Sequence, residues 1–125
     1  MNLPENLMYT EEHEWLKVED NLAIVGITDF AQSQLGDIIY VDLPNIGDKL
    51  SSGEPFGEIE AVKTVSELFS PISGKIVAIN ESILDNPELI NNDPYDSGWL
   101  IKISKNDHSN FVKLFDAESY KKLIS

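Results

Sequence analysis

Lys63 is the residue whose type and setting could do chemistry. It is the only lysine between Lys49 and Lys75, within Gly57-Glu58-Ile59-Glu60-Ala61-Val62-Lys63-Thr64-Val65-Ser66-Glu67-Leu68, with Ser70-Pro71-Ile72-Ser73-Gly74 behind it. Two short apolar runs with a β-branched bias flank it, a pattern that predicts a hairpin with the lysine at or near its tip. A tight turn pushes its residue away from the body of the fold, so an amine there stands in water and is open to acylation. An ordinary solvated turn lysine fits the same spacing, and residue types alone leave both readings open.

Other chemistry is short of the groups it needs. The only histidines are His13 and His108 and there is no cysteine, which leaves zinc and copper without a ligand set and excludes a disulfide framework. There is no EF-hand spacing, no Gly-x-Ser-x-Gly elbow and no Gly-rich phosphate loop. Paired carboxylates are plentiful, as chance alone provides in so acidic a chain. His13 reads as a packed or hydrogen-bonded strand residue rather than a general base. The chain does not read as an enzyme, so any reaction it joins must use a borrowed group.

Nine lysines, no arginine and 22 acidic residues give a formal net charge of −13 over 125 residues. That balance argues against nucleic acid, phosphate and anionic membranes as partners. It suits either solubility or attraction toward partners with basic docking surfaces. The start Met1-Asn2-Leu3-Pro4-Glu5 has no basic leader, and no apolar run approaches a membrane span. The expected location is cytoplasmic, of bacterial type, or the mitochondrial matrix for a processed eukaryotic chain.

The elements that must position Lys63 are mostly short strands. Residues 1–8 read as a loose N-terminal arm. His13–Val18 and Leu22–Ile27 form a hairpin around Glu19-Asp20-Asn21. Thr28-Asp29 then opens a short helix, Gln32 follows Asp29 in the manner of a capping box, and Gly36 ends it. Further strands are predicted over Ile38–Leu43, Phe56–Val62, Val65–Phe69, Lys75–Asn80 and Trp99–Ile103. A helical turn starts at Asn86-Pro87. Residues 107–125 read as a helical tail, from the spacing of Phe111, Leu114 and Phe115 and then of Ala117, Tyr120 and Ile124. One domain, 1–125, all-β with small helices, is the expected architecture, either a sandwich or a barrel.

Glu60-Ala61-Val62-Lys63-Thr64-Val65-Ser66-Glu67, with Ser70-Pro71-Ile72-Ser73-Gly74, resembles the lipoyl-attachment motif of glycine cleavage system H proteins. Ala61, Thr64 and Glu67 replace the serine, alanine and aspartate most usual there. The resemblance extends to Tyr9-Thr10 with His13-Glu14-Trp15, Gly26-Ile27-Thr28-Asp29 with Ala31-Gln32, Leu35-Gly36, Asn91-Asn92, Pro94-Tyr95 and Gly98-Trp99. Biotin carriers fit less well, because they place methionine on both sides of the lysine. Lipoyl domains of 2-oxo acid dehydrogenases usually have aspartate where Val62 stands.

The resemblance implies a barrel-sandwich hybrid, the lipoyl/biotinyl-carrier-like fold, with a C-terminal helix. It implies covalent lipoate on Lys63, an arm of about eleven bonds that reaches roughly 13 Å from the α-carbon. The implied role is a non-enzymatic carrier in glycine catabolism and one-carbon metabolism. It would take an aminomethyl group from a pyridoxal-phosphate glycine decarboxylase to a tetrahydrofolate-dependent aminomethyltransferase. A flavin- and NAD-dependent dihydrolipoyl dehydrogenase would reoxidise it, and lipoylating enzymes would load it. Glu14 and Glu67 correspond to the family's candidates for holding the loaded arm. The alternative function is a relay that passes lipoyl or octanoyl groups to other lipoyl domains.

Overall fold

The computed structural model describes all of residues 1–125. Nine strands and four short helices follow one another: β1 Met8–Tyr9, β2 Glu14–Glu19, β3 Leu22–Ile27, α1 Asp29–Leu35, β4 Ile38–Asp42, β5 Lys49–Leu50, β6 Pro55–Ala61, β7 Val65–Phe69, β8 Gly74–Ile79, α2 Ser82–Asp85, α3 Glu88–Asn92, β9 Ile101–Ser104 and α4 Ala117–Leu123. The strands make a six-stranded sheet in the order β1-β2-β3-β9-β8-β5 and a three-stranded sheet in the order β4-β6-β7. All pairings are antiparallel. No helix is long and apolar enough to cross a membrane.

Alternation decides which faces meet. Ile101 and Ile103 of β9 and Val25 of β3 turn inward from the larger sheet, while Val41, Ile59 and Leu68 turn inward from the smaller one. All belong to one buried cluster of 17 apolar residues, so neither sheet is complete without the other. A second, aromatic cluster of Tyr9, Trp15 and Tyr120 with Leu7 lies where α4 covers the sheet. The architecture is thus the barrel-sandwich type, with two open sheets and a C-terminal helix.

Two expectations about the ends need correction. Residues 1–8 are not loose: Leu7 is buried and Leu3 packs on the aromatic cluster. The Asn2 amide donates to Asp29 Oδ2 at 3.0 Å, and the Asn2 carbonyl accepts from the Tyr95 hydroxyl at 2.6 Å. The tail 107–125 is helical only over Ala117–Leu123. Phe111 and Phe115, spaced as though on a helix, instead sit in isolated β-bridges to Ile72 and Tyr9. The Tyr9 and Phe115 amides each donate to the other's carbonyl at 2.8 Å, a pairing that extended backbone satisfies and a helix would forfeit.

Smaller departures have similar causes. Thr28, not Asp29, caps α1, its hydroxyl accepting from the Ala31 amide at 3.1 Å, and the Gln32 amide group bonds the Asp29 carboxylate instead. The strand expected from His13 begins at Glu14, because His13 holds a left-handed φ of 68°. The last strand begins at Ile101 rather than Trp99, since the Trp99 carbonyl is taken by the Asn80 side chain. Lys102 places its ammonium over the Trp99 ring at 4.8 Å.

Candidate functional site

Lys63 occupies the tip of the β6–β7 hairpin. The register pairs Glu60 with Val65, Ile59 with Ser66 and Glu58 with Glu67, leaving Val62, Lys63 and Thr64 as the turn. The turn is held twice: the Ala61 amide donates to the Thr64 carbonyl at 2.8 Å, and the Val62 amide to the Asp37 carbonyl at 3.1 Å. The second bond ties it to the chain just before β4, so the position from which the side chain starts is fixed.

The side chain itself is free. Lys63 is exposed, and the two ion pairs of the structure, Lys17–Glu19 and Lys122–Glu118, do not involve it. Its stem passes over Gly36 at the end of α1, where a Cβ would lie 3.5 Å from Lys63 Cε and 3.9 Å from Nζ. Gly36 has a φ of 76°, so glycine serves the helix end and the bare surface under the stem together.

Beside the hairpin is a cavity of about 270 Å³. Its apolar wall includes Ile27, Phe30, Leu35 and Ile59; its polar side carries Glu12, His13, Glu14, Gln34, Ser66 and Glu67. Glu14 and Glu67 are therefore brought together from β2 and β7. They differ in setting: Glu67 is exposed, whereas Glu14 is only 1% exposed. Ser66 and the α1 residues were not named as site residues from sequence. Ser66 carried one usable signal, its half-buried alternation three residues after Lys63.

Burial pushes the Glu14 carboxyl up to about 8, against hydrogen bonds from the Thr10 hydroxyl (2.7 Å) and the Phe69 amide (3.3 Å) that favour the anion. A further cavity of about 330 Å³, lined by Thr10, Gly53, Phe69 and Ser70, also includes Glu14 in its lining. Glu14 thus lines both spaces while remaining almost wholly buried. A larger open groove of about 650 Å³ between the N-terminal residues and α4 contains neither the lysine nor Glu14.

The raised value has a consequence for stability. An unfolded Glu14 ionises near its ordinary 4.5, so between about 4.5 and 8 the folded state binds the extra proton. Stability from this group is full below that window and lost as pH rises through it, with a limiting slope of about 1.4 kcal/mol per pH unit. Glu14→Gln should flatten that slope in thermal melts recorded from pH 4 to 9. A slope identical to the unsubstituted protein would contradict the buried acid.

His13 reaches the same cavity from the turn before β2. Its Nδ1 lies 2.9 Å from the Tyr120 hydroxyl, which also lies 2.9 Å from Thr28 Oγ1. Its ring is 5.0 Å from that of Phe30. Burial lowers its pKa, with Glu12 opposing, which favours the neutral ring. No group of three His, Cys, Asp or Glu side chains converges as metal ligands.

Comparison with known proteins bears on the whole chain. The profile of the glycine cleavage H-protein family matches residues 7–125. The chain is 55% identical to the glycine cleavage system H protein of Bacteroides thetaiotaomicron, covering all of this chain and 99% of that one. It is 54% identical to that of Anoxybacillus flavithermus, covering all of this chain and 98% of that one. The structure is similar to the crystal structure of a glycine cleavage system H protein from Mycobacterium marinum, with a TM-score of 0.91 and 38% identity. That alignment covers 96% of this chain and 97% of the other.

Proposed function

Since the chain belongs to the glycine cleavage H-protein family, and is accordingly a carrier protein rather than an enzyme, we propose that Lys63 is its attachment point for lipoate. The observation that carries this reading is an exposed, unpaired amine on a turn whose base is pinned by two hydrogen bonds. The surroundings suit the group. Ile27, Phe30, Leu35 and Ile59 offer an apolar wall for a ring, and the arm's reach of roughly 13 Å suits a cavity flanked by residues only three to five positions from the lysine. Acylation also removes the lysine's charge, which lets the stem lie on apolar surface. When bound, lipoate would supply the dithiolane that accepts a one-carbon unit, chemistry no side chain here can perform.

The chain's own residues hold and shield. The cationic amine of an aminomethyl load would enter the cavity beside Glu14. A neutral buried acid loses its proton to water when a cation arrives, because the opposite charge offsets the desolvation that kept it protonated. Glu67, exposed on β7, would meet the same amine from the cavity mouth. The stations served are glycine decarboxylase, the aminomethyltransferase and dihydrolipoyl dehydrogenase, in the cytoplasm, with a lipoylating enzyme acting first.

Intact mass spectrometry after incubation with a lipoylating enzyme should show one lipoyl increment, mapping to Lys63. Reconstitution with a glycine decarboxylase should then support exchange of carbon dioxide with the glycine carboxyl. A protein that takes the increment without supporting exchange would be a lipoyl relay instead. Glu14→Gln should shorten the lifetime of the loaded arm, and an unchanged lifetime would remove Glu14 from this role.

A further inference from the structure

We propose that Tyr120 of α4 is a positioning residue that engages the basic nitrogen of His13, so that the imidazole lining the cavity has only an N–H left to offer. The inference rests on the lipoyl reading for its consequence, though not for its geometry.

The geometry is a chain of three polar groups with one consistent set of hydrogens. Thr28 and Tyr120 are both fully buried, and Thr28 Oγ1 already accepts the Ala31 amide at 3.1 Å as the cap of α1. The Thr28 hydroxyl hydrogen has one acceptor within reach, the Tyr120 oxygen at 2.9 Å. Tyr120 must then donate onward to His13 Nδ1, also at 2.9 Å. In the reverse arrangement Nδ1–H would donate to Tyr120 and Tyr120 to Thr28, leaving the buried Thr28 hydrogen with no partner, which is costly. His13 is thereby assigned the tautomer that carries its hydrogen on Nε2, the ring nitrogen that Tyr120 does not engage.

Each member of the chain is held independently. The Tyr120 ring stacks on Tyr9 at 4.8 Å and 11°, and Tyr9 is bridged to Phe115 just before α4. The His13 amide donates to the Thr10 carbonyl at 3.1 Å, and its carbonyl accepts from the Thr28 amide at 3.0 Å. Phe30 packs on the imidazole, and Glu12 is the charged neighbour.

The consequence concerns a proton. A bare imidazole nitrogen in the cavity would take a proton from an ammonium-bearing load. The lone pair so freed forms a C=N bond as the C–S bond breaks and the sulfur leaves as thiolate. An Nε2–H cannot accept that proton, which leaves the acids lining the cavity, Glu12, Glu14 and Glu67, to pair with the cation as carboxylates whose proton affinity the ion pair itself lowers. The C-terminal helix, remote from the lysine in sequence, thus protects what the arm carries.

The test begins on the unlipoylated, ¹⁵N-labelled protein, with exposed His108 as internal control. Two-bond ¹H–¹⁵N spectra should show His13 with Nδ1 unprotonated and Nε2 protonated. Tyr120→Phe, which keeps the ring stack, should give averaged tautomers. An Nδ1–H tautomer in the unsubstituted protein, or a His13 signal unmoved by Tyr120→Phe, overturns the proposal whether or not Lys63 is ever modified.

With the loaded arm, Tyr120→Phe should shorten its lifetime by about a hundredfold, the lower end of general-base catalysis. The same substitution in a His13→Asn background should have no effect, asparagine being tolerant of the left-handed backbone there. Shortening that persists without His13 would assign Tyr120 a packing role and overturn the proposal.

Discussion

Lys63→Arg should leave the fold intact and abolish lipoylation completely. The side chain is exposed and in no ion pair, and such surface substitutions change stability by about 0.5 kcal/mol or less. Arginine preserves the positive charge, yet its guanidinium stays protonated and is a poor nucleophile toward an activated acyl group. The lipoyl increment should vanish from the intact mass, and carbon dioxide exchange should fall to background. None of the other eight lysines sits on the β6–β7 turn, so none should substitute. An increment appearing elsewhere, or exchange persisting in the variant, would contradict the assignment. So would a melting temperature lowered by many degrees, since it would mean that the amine supports the fold.

Gly57→Ala should be the most damaging single-methyl change in the hairpin beneath Lys63. Gly57 lies in β6 at an irregularity in its pairing with β7, and a Cβ there would overlap the Asp42 carbonyl oxygen. That oxygen belongs to the backbone of β4, paired with β6 through Asp42 and Glu58, so it cannot swing aside as a side-chain tip would. Relief requires the three-stranded sheet to part or bend. The expected cost is about 3 kcal/mol, at the upper end of overpacking, and a melting temperature lower by about 10 °C. Calorimetry or a circular-dichroism melt measures it directly. A variant melting with the parent would mean that the β4–β6 contact is looser than the structure has it. Below its melting point the variant should still accept lipoate, because the turn bonds at Ala61 and Val62 lie beyond the strained residue.

The parts of this molecule legible from sequence are those in which neighbours along the chain are neighbours in space. Glu58, Ile59, Glu60 and Ala61 alternate because successive side chains of a strand point to opposite faces, and that alternation runs directly into the lysine turn. Gly36 could be placed as the end of α1 for the same local reason. Phe111 and Phe115 failed because spacings of three and four residues suit one face of a helix and equally suit two separate bridges. Only Ile72 and Tyr9, both distant in sequence, distinguish the cases. The N-terminal arm failed likewise: Leu3 and Leu7 show no periodic pattern, and what holds them is Tyr95, Asp29 and the aromatic cluster.

The candidate site divides along the same line. A lone lysine between two amphipathic strands needs no long-range contact to stand exposed, so the sequence by itself determined where an arm could be attached. The state of Glu14 is different. A carboxyl's proton affinity follows what encloses it, and here the enclosure comes from β2, β7 and the residues around Thr10 and Ser70. The orientation of His13 depends in turn on a hydroxyl 107 residues away. Dehydration and directional hydrogen bonding are properties of a surrounding shell, and only folding assembles that shell.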